Sequence, residues 1–273
     1  MIDFLTDYEI KRELTEMLRD LDFFLQSIHV NYSIMYGTML GAVRHKGFIP
    51  WDDDIDLGLL RDDYEKLIYC ISDSTQHTLL DKKYGFEGVE LGNGDKPFLK
   101  FFNKQILISS NDLSEKYLWI DLFPFDGVPS IGFKFYNLYF FKYLRVARNL
   151  KDPLYAKGMM TSKNSFGKNV YYKILDRIFE NKNQKDLSGL IVKCAKRISI
   201  DKAKKVANVA WSSLNEPSFP KSLFESLTDY KFEDISVKGL EDYKLYLKSN
   251  YGDYMTLPPE NLRQNHEIKA WGA

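Results

Sequence analysis

Gly37-Thr38-Met39-Leu40-Gly41-Ala42-Val43-Arg44-His45-Lys46-Gly47-Phe48-Ile49-Pro50-Trp51-Asp52-Asp53-Asp54-Ile55-Asp56 is the stretch on which the reading turns, and it closes on four aspartates in five positions. Carboxylates this crowded repel: two of them about 4 Å apart at an effective dielectric near 20 cost roughly 4 kcal/mol, so a convergent set calls for a compensating cation. The alternation after Pro50 predicts a strand over residues 55–60. Asp54 and Asp56 would then share a face, which suits a hard divalent ion such as Mg²⁺ or Mn²⁺. At the other end, a short β-prone run over residues 32–36 stops at Gly37, and Thr38 is placed to cap a helix over residues 39–44. Backbone N–H groups and a hydroxyl at a helix start favour phosphate, although an ordinary turn and cap accounts for Gly37 and Thr38 as well.

Working outward, apolar residues at Ile10, Leu14, Met17, Leu18, Leu21, Phe24, Leu25 and Ile28 fall at steps of three and four and predict an amphipathic packing helix over residues 7–30. Arg61, Asp62 and Asp63 open a second helix that runs through Ile71, and residues 79–104 read as short strands broken by glycines and Pro97. Residues 117–123 form an aromatic, apolar strand with one internal acid, Asp121. An aspartate among Trp119, Ile120, Leu122 and Phe123 needs a cation or hydrogen-bond donors, so we group it with Asp54 and Asp56 as catalytic and metal-ligating candidates. A plainer reading makes Asp52 and Asp53 a solvated turn, Asp54 and Asp56 an exposed strand face, and Asp121 a locally capped acid.

Strand, Gly-Thr turn, helix, a DxD on the next strand and a lone acid on a later one resemble the nucleotidyltransferase fold. The whole 37–56 stretch, Trp119-Ile120-Asp121-Leu122-Phe123-Pro124, and the tail Tyr251-Gly252-Asp253-Tyr254-Met255 with Leu257-Pro258-Pro259 resemble, more narrowly, the LicD family of bacterial phosphocholine transferases related to fukutin-type proteins. The resemblance implies an α+β fold: a nucleotidyltransferase-like mixed sheet with flanking helices, plus a basic, largely helical lobe. It implies a phosphotransferase for substituted phosphate groups. The reaction would move phosphocholine from CDP-choline to a sugar hydroxyl of a cell-surface glycan (teichoic acid or lipopolysaccharide) or its lipid-linked precursor, releasing CMP. Phosphoryl-type transfer needs an in-line hydroxyl, cations on the phosphate oxygens and donors for developing charge. Asp54 and Asp56 would hold Mg²⁺ or Mn²⁺ on the diphosphate, and Asp121 would complete the shell and help to deprotonate the acceptor. Arg44 either stabilises the diphosphate or pairs with Asp52 or Asp53. Lys100, amid Phe98, Leu99, Phe101 and Phe102, either faces the site or stands exposed. Trp51 and Trp119 either cage a quaternary ammonium or pack the core. Arg263 and His266 follow the Pro258-Pro259 break and either return to the site or lie on the surface.

Charge divides the chain into three: residues 1–130 carry −10, residues 131–210 carry +13 and residues 211–273 carry −3. We take these as a catalytic core, a basic and aromatic helical lobe, and a C-terminal segment that packs back on the core. The stretch from Phe133 to Arg148 either rests on an anionic membrane or buries an apolar face while its bases reach water; no nucleic-acid-binding signature accompanies it. With 44% hydrophobic and 15% aromatic residues in 273, the chain is expected to fold rather than stay disordered. It has no apolar run long enough to span a bilayer and no signal-peptide layout, so a cytoplasmic location is expected, the inner face of the membrane included. Cys70 and Cys194, far apart, argue against a disulfide framework. Three readings compete with phosphocholine transfer: transfer of another phospho-alcohol such as phosphoethanolamine, a GT-A-like glycosyltransferase using the DxD, and a non-catalytic glycan-binding module.

Overall fold

The computed structural model describes residues 3–73, 82–110, 116–159, 166–211, 216–263 and 268–273. Helix α1 (Asp7–Ser27) opens on a capping box in which Thr6 and Glu9 satisfy each other's backbone N–H groups. It buries Ile10, Leu14, Met17, Leu18, Leu21 and Leu25 against the sheet, as the spacing predicts. The strands that carry the site follow: β1 (Ser33–Ile34), α2 (Tyr36–Arg44), β2 (Asp56–Leu60), α3 (Arg61–Ser72), β3 (Tyr84–Glu87), β4 (Leu99–Ser109) and β5 (Tyr117–Val128). They form a mixed sheet in the order β1-β2-β5-β4, in which β2 and β5 run parallel and β4 is antiparallel to β5. β3 pairs with the first half of β4 and the last strand of the chain with its second half. This α+β architecture agrees with the expected fold class.

Three local expectations are corrected. Helix α2 starts at Tyr36, not Met39, and Met35 occupies the cap position. Thr38 therefore does not cap; its buried hydroxyl accepts the Asp56 N–H at 2.9 Å, because that amide at the head of β2 would otherwise lack an acceptor. The second strand begins at Asp56, so Asp54 lies in the irregular chain just before it. β5 runs five residues beyond Phe123 to Val128. Pro124 is tolerated there because pairing with β4 ends at Leu122 and the next partner takes up only Asp126–Val128, so the missing N–H faces no strand.

Beyond β5 the chain is helical: α4 (Phe133–Asn137), one π-helical turn (Leu138–Lys142), α5 (Tyr143–Leu150), α6 (Pro153–Met159), α7 (Phe166–Ile178) and α8 (Gln184–Ala195). Phe141, Leu144, Leu187 and Ile191 make a second core that reaches the sheet at Val128. The chain returns through β6 (Lys205–Ala207), paired with the end of β5, and β7 (Phe219–Pro220). The hairpin β8 (Leu227–Phe232) and β9 (Ile235–Leu240), helix α9 (Tyr243–Tyr251) and β10 (Lys269–Gly272) complete the fold. Where lobe meets core, buried Asp126 accepts from Arg61 Nε at 2.7 Å and Nη2 at 3.2 Å, Arg61 Nη1 reaches Glu90 at 3.1 Å, and Lys196 bridges Glu90 and Glu65. No described helix is long and apolar enough to cross a membrane.

Candidate active site

Register places four charged residues in one row across four adjacent strands. Asp56 on β2 stands beside Asp121 on β5, Asp121 opposite Lys100 on β4, and Lys100 opposite Glu87 on β3. Neighbours in register share a face, so the two predicted acids on strands and Lys100 meet on one side of the sheet. Lys100 is 3% exposed: its Nζ donates to Asp121 Oδ1 at 2.8 Å and lies 4.3 Å from the centre of the Trp119 ring. Lys100 is therefore turned inward onto the Asp121 carboxylate rather than exposed.

The backbone fixes this row firmly. The Asp121 N–H donates to the Ile55 carbonyl, the Met35 N–H to the Asp56 carbonyl, and the Asp56 N–H to Thr38. Asp52 sits against the first turn of α2, where a carboxylate is favoured by the amides of a helix start. Gly37 makes that approach possible, since a Cβ there would collide with Asp52 Oδ2. Gly41 admits the Gly47 carbonyl in the same way, and the Phe48 N–H donates to Glu233 in the β8–β9 turn, which supports the loop leading to the aspartates.

Negative charge is under-compensated here. Burial first, and then Asp54 and Asp53, push the Asp52 carboxyl up to about 8. Burial followed by Asp54, Asp121 and Asp52 raises Asp56 well above the carboxylate range, with Lys100 pulling the other way. Asp121 is raised by burial, and Lys100 opposes the rise. Four carboxylates thus act on one another, with Lys11 opposing the rise at Asp52 and Lys100 opposing it at Asp56 and Asp121. Among the described residues no three Asp, Glu, His or Cys side chains meet at one point where an ion could be held. What fits a hard cation is the donor chemistry and the excess of negative charge. Asp54 and Asp56 are the residues that could hold one, with Asp121 as a third donor already bonded to Lys100.

The tail returns to this place. Arg44 Nη1 donates to the Tyr254 carbonyl at 2.7 Å, and the Arg263 guanidinium lies 4.6 Å from the centre of the Trp51 ring. Both predicted cage residues therefore hold cations of the protein itself, Arg263 on Trp51 and Lys100 on Trp119. His266 lies outside the described residues. An open pocket of about 350 Å³ adjoins Lys100, with Lys96 and Lys116 and the rings of Phe102, Tyr117 and Trp119 in its wall. The buried indole N–H of Trp119 lies near Asp121 and helps to hold its carboxyl down, at a geometry short of a full hydrogen bond.

Sequence reasoning missed four contributors. Tyr251 faces the cluster, its phenol raised by burial and then by Asp56, Asp52 and Asp54. Tyr36, held at a left-handed φ of 44°, donates through its hydroxyl to Glu216 at 2.9 Å and accepts from Asn208, while the Tyr246 hydroxyl accepts its N–H. Glu216, Tyr246 and Tyr251 are distant in sequence from the aspartates, and no spacing announces them. Only Tyr251 had a signal, its place in the tail motif.

Residues 29–156 match the family described as LicD/FKTN/FKRP, nucleotidyltransferase domain. The chain is 28% identical over 262 residues to the lipopolysaccharide cholinephosphotransferase LicD of Haemophilus influenzae, covering 92% of this chain and 93% of that protein. It is 32% identical over 114 residues to the human ribitol 5-phosphate transferase FKRP, covering 42% of this chain and 20% of that much longer protein. A Rickettsia prowazekii protein of uncharacterised function is 34% identical over 79 residues, 25% of this chain and 30% of that one.

Proposed function

The chain belongs to the LicD/FKTN/FKRP nucleotidyltransferase family, and on that premise we propose that it transfers phosphocholine from CDP-choline to a hydroxyl of a cell-surface glycan such as lipopolysaccharide, releasing CMP. It is a phosphotransferase: one relative moves choline phosphate and another ribitol 5-phosphate, and the shared step is transfer of a phospho-alcohol. The observation that carries the reading is the row Asp56–Asp121–Lys100, two carboxylates and an ammonium fixed by strand register, with Lys100 in the wall of an open pocket.

Each residue has a part in that reaction. The donor carries a diphosphate, and the bond broken joins the phosphocholine phosphorus to the oxygen it shares with CMP. Lys100 places a positive charge at the end of the pocket, where it stabilises oxygens that gain charge as that bond lengthens. Asp121 Oδ2, the oxygen not bonded to Lys100, takes the proton of the attacking hydroxyl. Asp54 and Asp56 would hold Mg²⁺ or Mn²⁺, with Asp121 completing the set. An ion held there would supply positive charge to the diphosphate. The phenols of Tyr246 and Tyr251 stand close enough to the aspartates to feel their charge, and Tyr246 accepts the Tyr36 N–H, which places them to contact the donor from the tail side.

The test is a screen of cytidine diphosphate donors with Mg²⁺ and candidate acceptor sugars, reading CMP. Release of CMP from CDP-choline, dependent on acceptor and metal, is the expected result. Release of UDP or GDP from a sugar nucleotide instead would make the chain a glycosyltransferase and end this proposal. The FKRP match supports one second reading, a different phospho-alcohol on the same nucleotide, and CDP-ethanolamine and CDP-ribitol in the screen decide it.

A further inference from the structure

The helix that begins the lobe does not hide its apolar residues. Ile131, Phe135, Leu138 and Tyr139 are 91%, 78%, 47% and 72% exposed, while the other side of the same helix already fills the lobe's core with Phe141 and Leu144. Phe135, Leu138 and Tyr139 are spaced i, i+3 and i+4, so they stand together on one face. Ile131 precedes them across Gly132, whose φ of 74° turns the chain into the helix. A cluster of large exposed apolar side chains on a monomer marks a contact surface.

Charge indicates what meets it. From residue 127 to residue 151 the sequence has five Lys or Arg and no Asp or Glu. Lys134 is exposed between Ile131 and Phe135, Lys142 is half-buried one turn beyond Leu138, and the exposed Arg197 lays its guanidinium 4.4 Å from the centre of the Phe140 ring. An apolar ridge with a basic rim and no acid of its own fits a surface with negative headgroups outside and hydrocarbon beneath. A second copy of the same face is a poor match, since it would bring lysine to lysine. We propose that Ile131, Phe135, Leu138 and Tyr139, rimmed by Lys134, Lys142 and Arg197, seat this protein on a bilayer that carries anionic lipid. The proposal is independent of which phospho-alcohol is transferred.

The test is co-sedimentation of the full chain with vesicles of phosphatidylcholine alone or mixed with phosphatidylglycerol. Binding should be at least about tenfold stronger on the anionic vesicles and should weaken as salt rises. Phe135→Ser with Tyr139→Ser, both solvent-exposed, should reduce it about tenfold or more with an unchanged melting curve, and Lys134→Glu should reduce it by about fivefold. Phe23→Ser and Tyr69→Ser, equally exposed on α1 and α3, serve as controls and should leave it unchanged. Equal binding to both vesicle types, no binding, or equal loss in the controls would overturn the proposal. So would a dimer in solution that Phe135→Ser dissociates, which would make the occupant a second copy.

Discussion

Strand β5 carries two aspartates five residues apart, Asp126 buried and Asp121 largely so, and its two ends treat that charge in opposite ways. At Asp126 the Arg61 guanidinium covers both carboxylate oxygens, and its third nitrogen is taken up by Glu90, which Lys196 holds from the other side. At Asp121 one ammonium takes one oxygen, and the next neighbours in the row and before it are Asp56, Asp54 and Asp52. Both ends desolvate ions, which in a low-dielectric interior requires matched geometry and opposite charge. Only the first end has both. The first network holds the lobe to the sheet; in the second, carboxylates raise one another's pKa, a repulsion that a cationic ligand would relieve. On the proposed reading the first is structural charge and the second functional.

The largest effects should therefore part company between the two ends. Asp56→Asn should lower turnover of CDP-choline by about a thousandfold or more, while the melting temperature stays level or rises because a repelled carboxylate is gone. Excess Mg²⁺ should stabilise the wild type, by about 2.7 kcal/mol at a hundred times its dissociation constant, and leave the Asn variant nearly unmoved in the same melting experiment. An Asn variant with full metal-dependent activity would remove Asp56 from the site. Arg61→Ala should do the reverse: denaturant unfolding should show a loss of about 3–5 kcal/mol, with kcat per folded molecule within a few-fold of wild type. A stable but inactive Arg61→Ala protein would erase the distinction.

Between these extremes lies Glu216, hydrogen-bonded by Tyr36 yet raised by burial to about 7 from an ordinary 4.5. Its folded form binds a proton more tightly than its unfolded form, so stability from this group is full below about 4.5 and falls as pH rises to about 7. Half-burial and solvent screening keep the effect on the order of 1–3 kcal/mol. Glu216→Gln should flatten the melting temperature between pH 5 and about 7.5, and an unchanged slope would show that another group is responsible.

The sequence was most legible where physics is local. Crowded aspartates, a lone acid in an apolar strand and the steps of α1 each follow from neighbours a few residues apart, and the structure joins Asp56 to Asp121 by register. What spacing could not reveal is which cation meets which acid. Lys100 reads first as exposed, with an inward position as the alternative, until β4 is paired with β5, because one residue of register decides the face. Thr38 read as a cap because Ser and Thr favour that position, but the β2 amide it serves lies 18 residues away. Trp51 and Trp119 read either as a cage for a ligand's ammonium or as core, and neither reading contains Arg263 and Lys100, which reach the two rings from distant parts of the chain.

Those aromatic contacts yield the smallest effect and a finer version of the same contrast. Arg263 over Trp51 belongs to the acidic end, and Arg61 over Tyr64, at 4.9 Å, to the paired end. A cation on a ring face at a partly exposed position is worth about 0.5–1 kcal/mol and at a desolvated one about 2. Arg263 is part-exposed and Arg61 buried, so double-mutant cycles with Arg263→Met and Trp51→Leu should give a coupling of about 0.5–1 kcal/mol, below that of Arg61→Met with Tyr64→Leu. The weaker pair should nevertheless be the one that affects substrate: Arg263→Met should raise KM for the donor several-fold at a stability cost of no more than about 1 kcal/mol, because Arg263 fastens the tail beside Asp52. A KM unchanged by Arg263→Met would place that contact with the structural set, and the division between the two ends would then rest on the carboxylates alone.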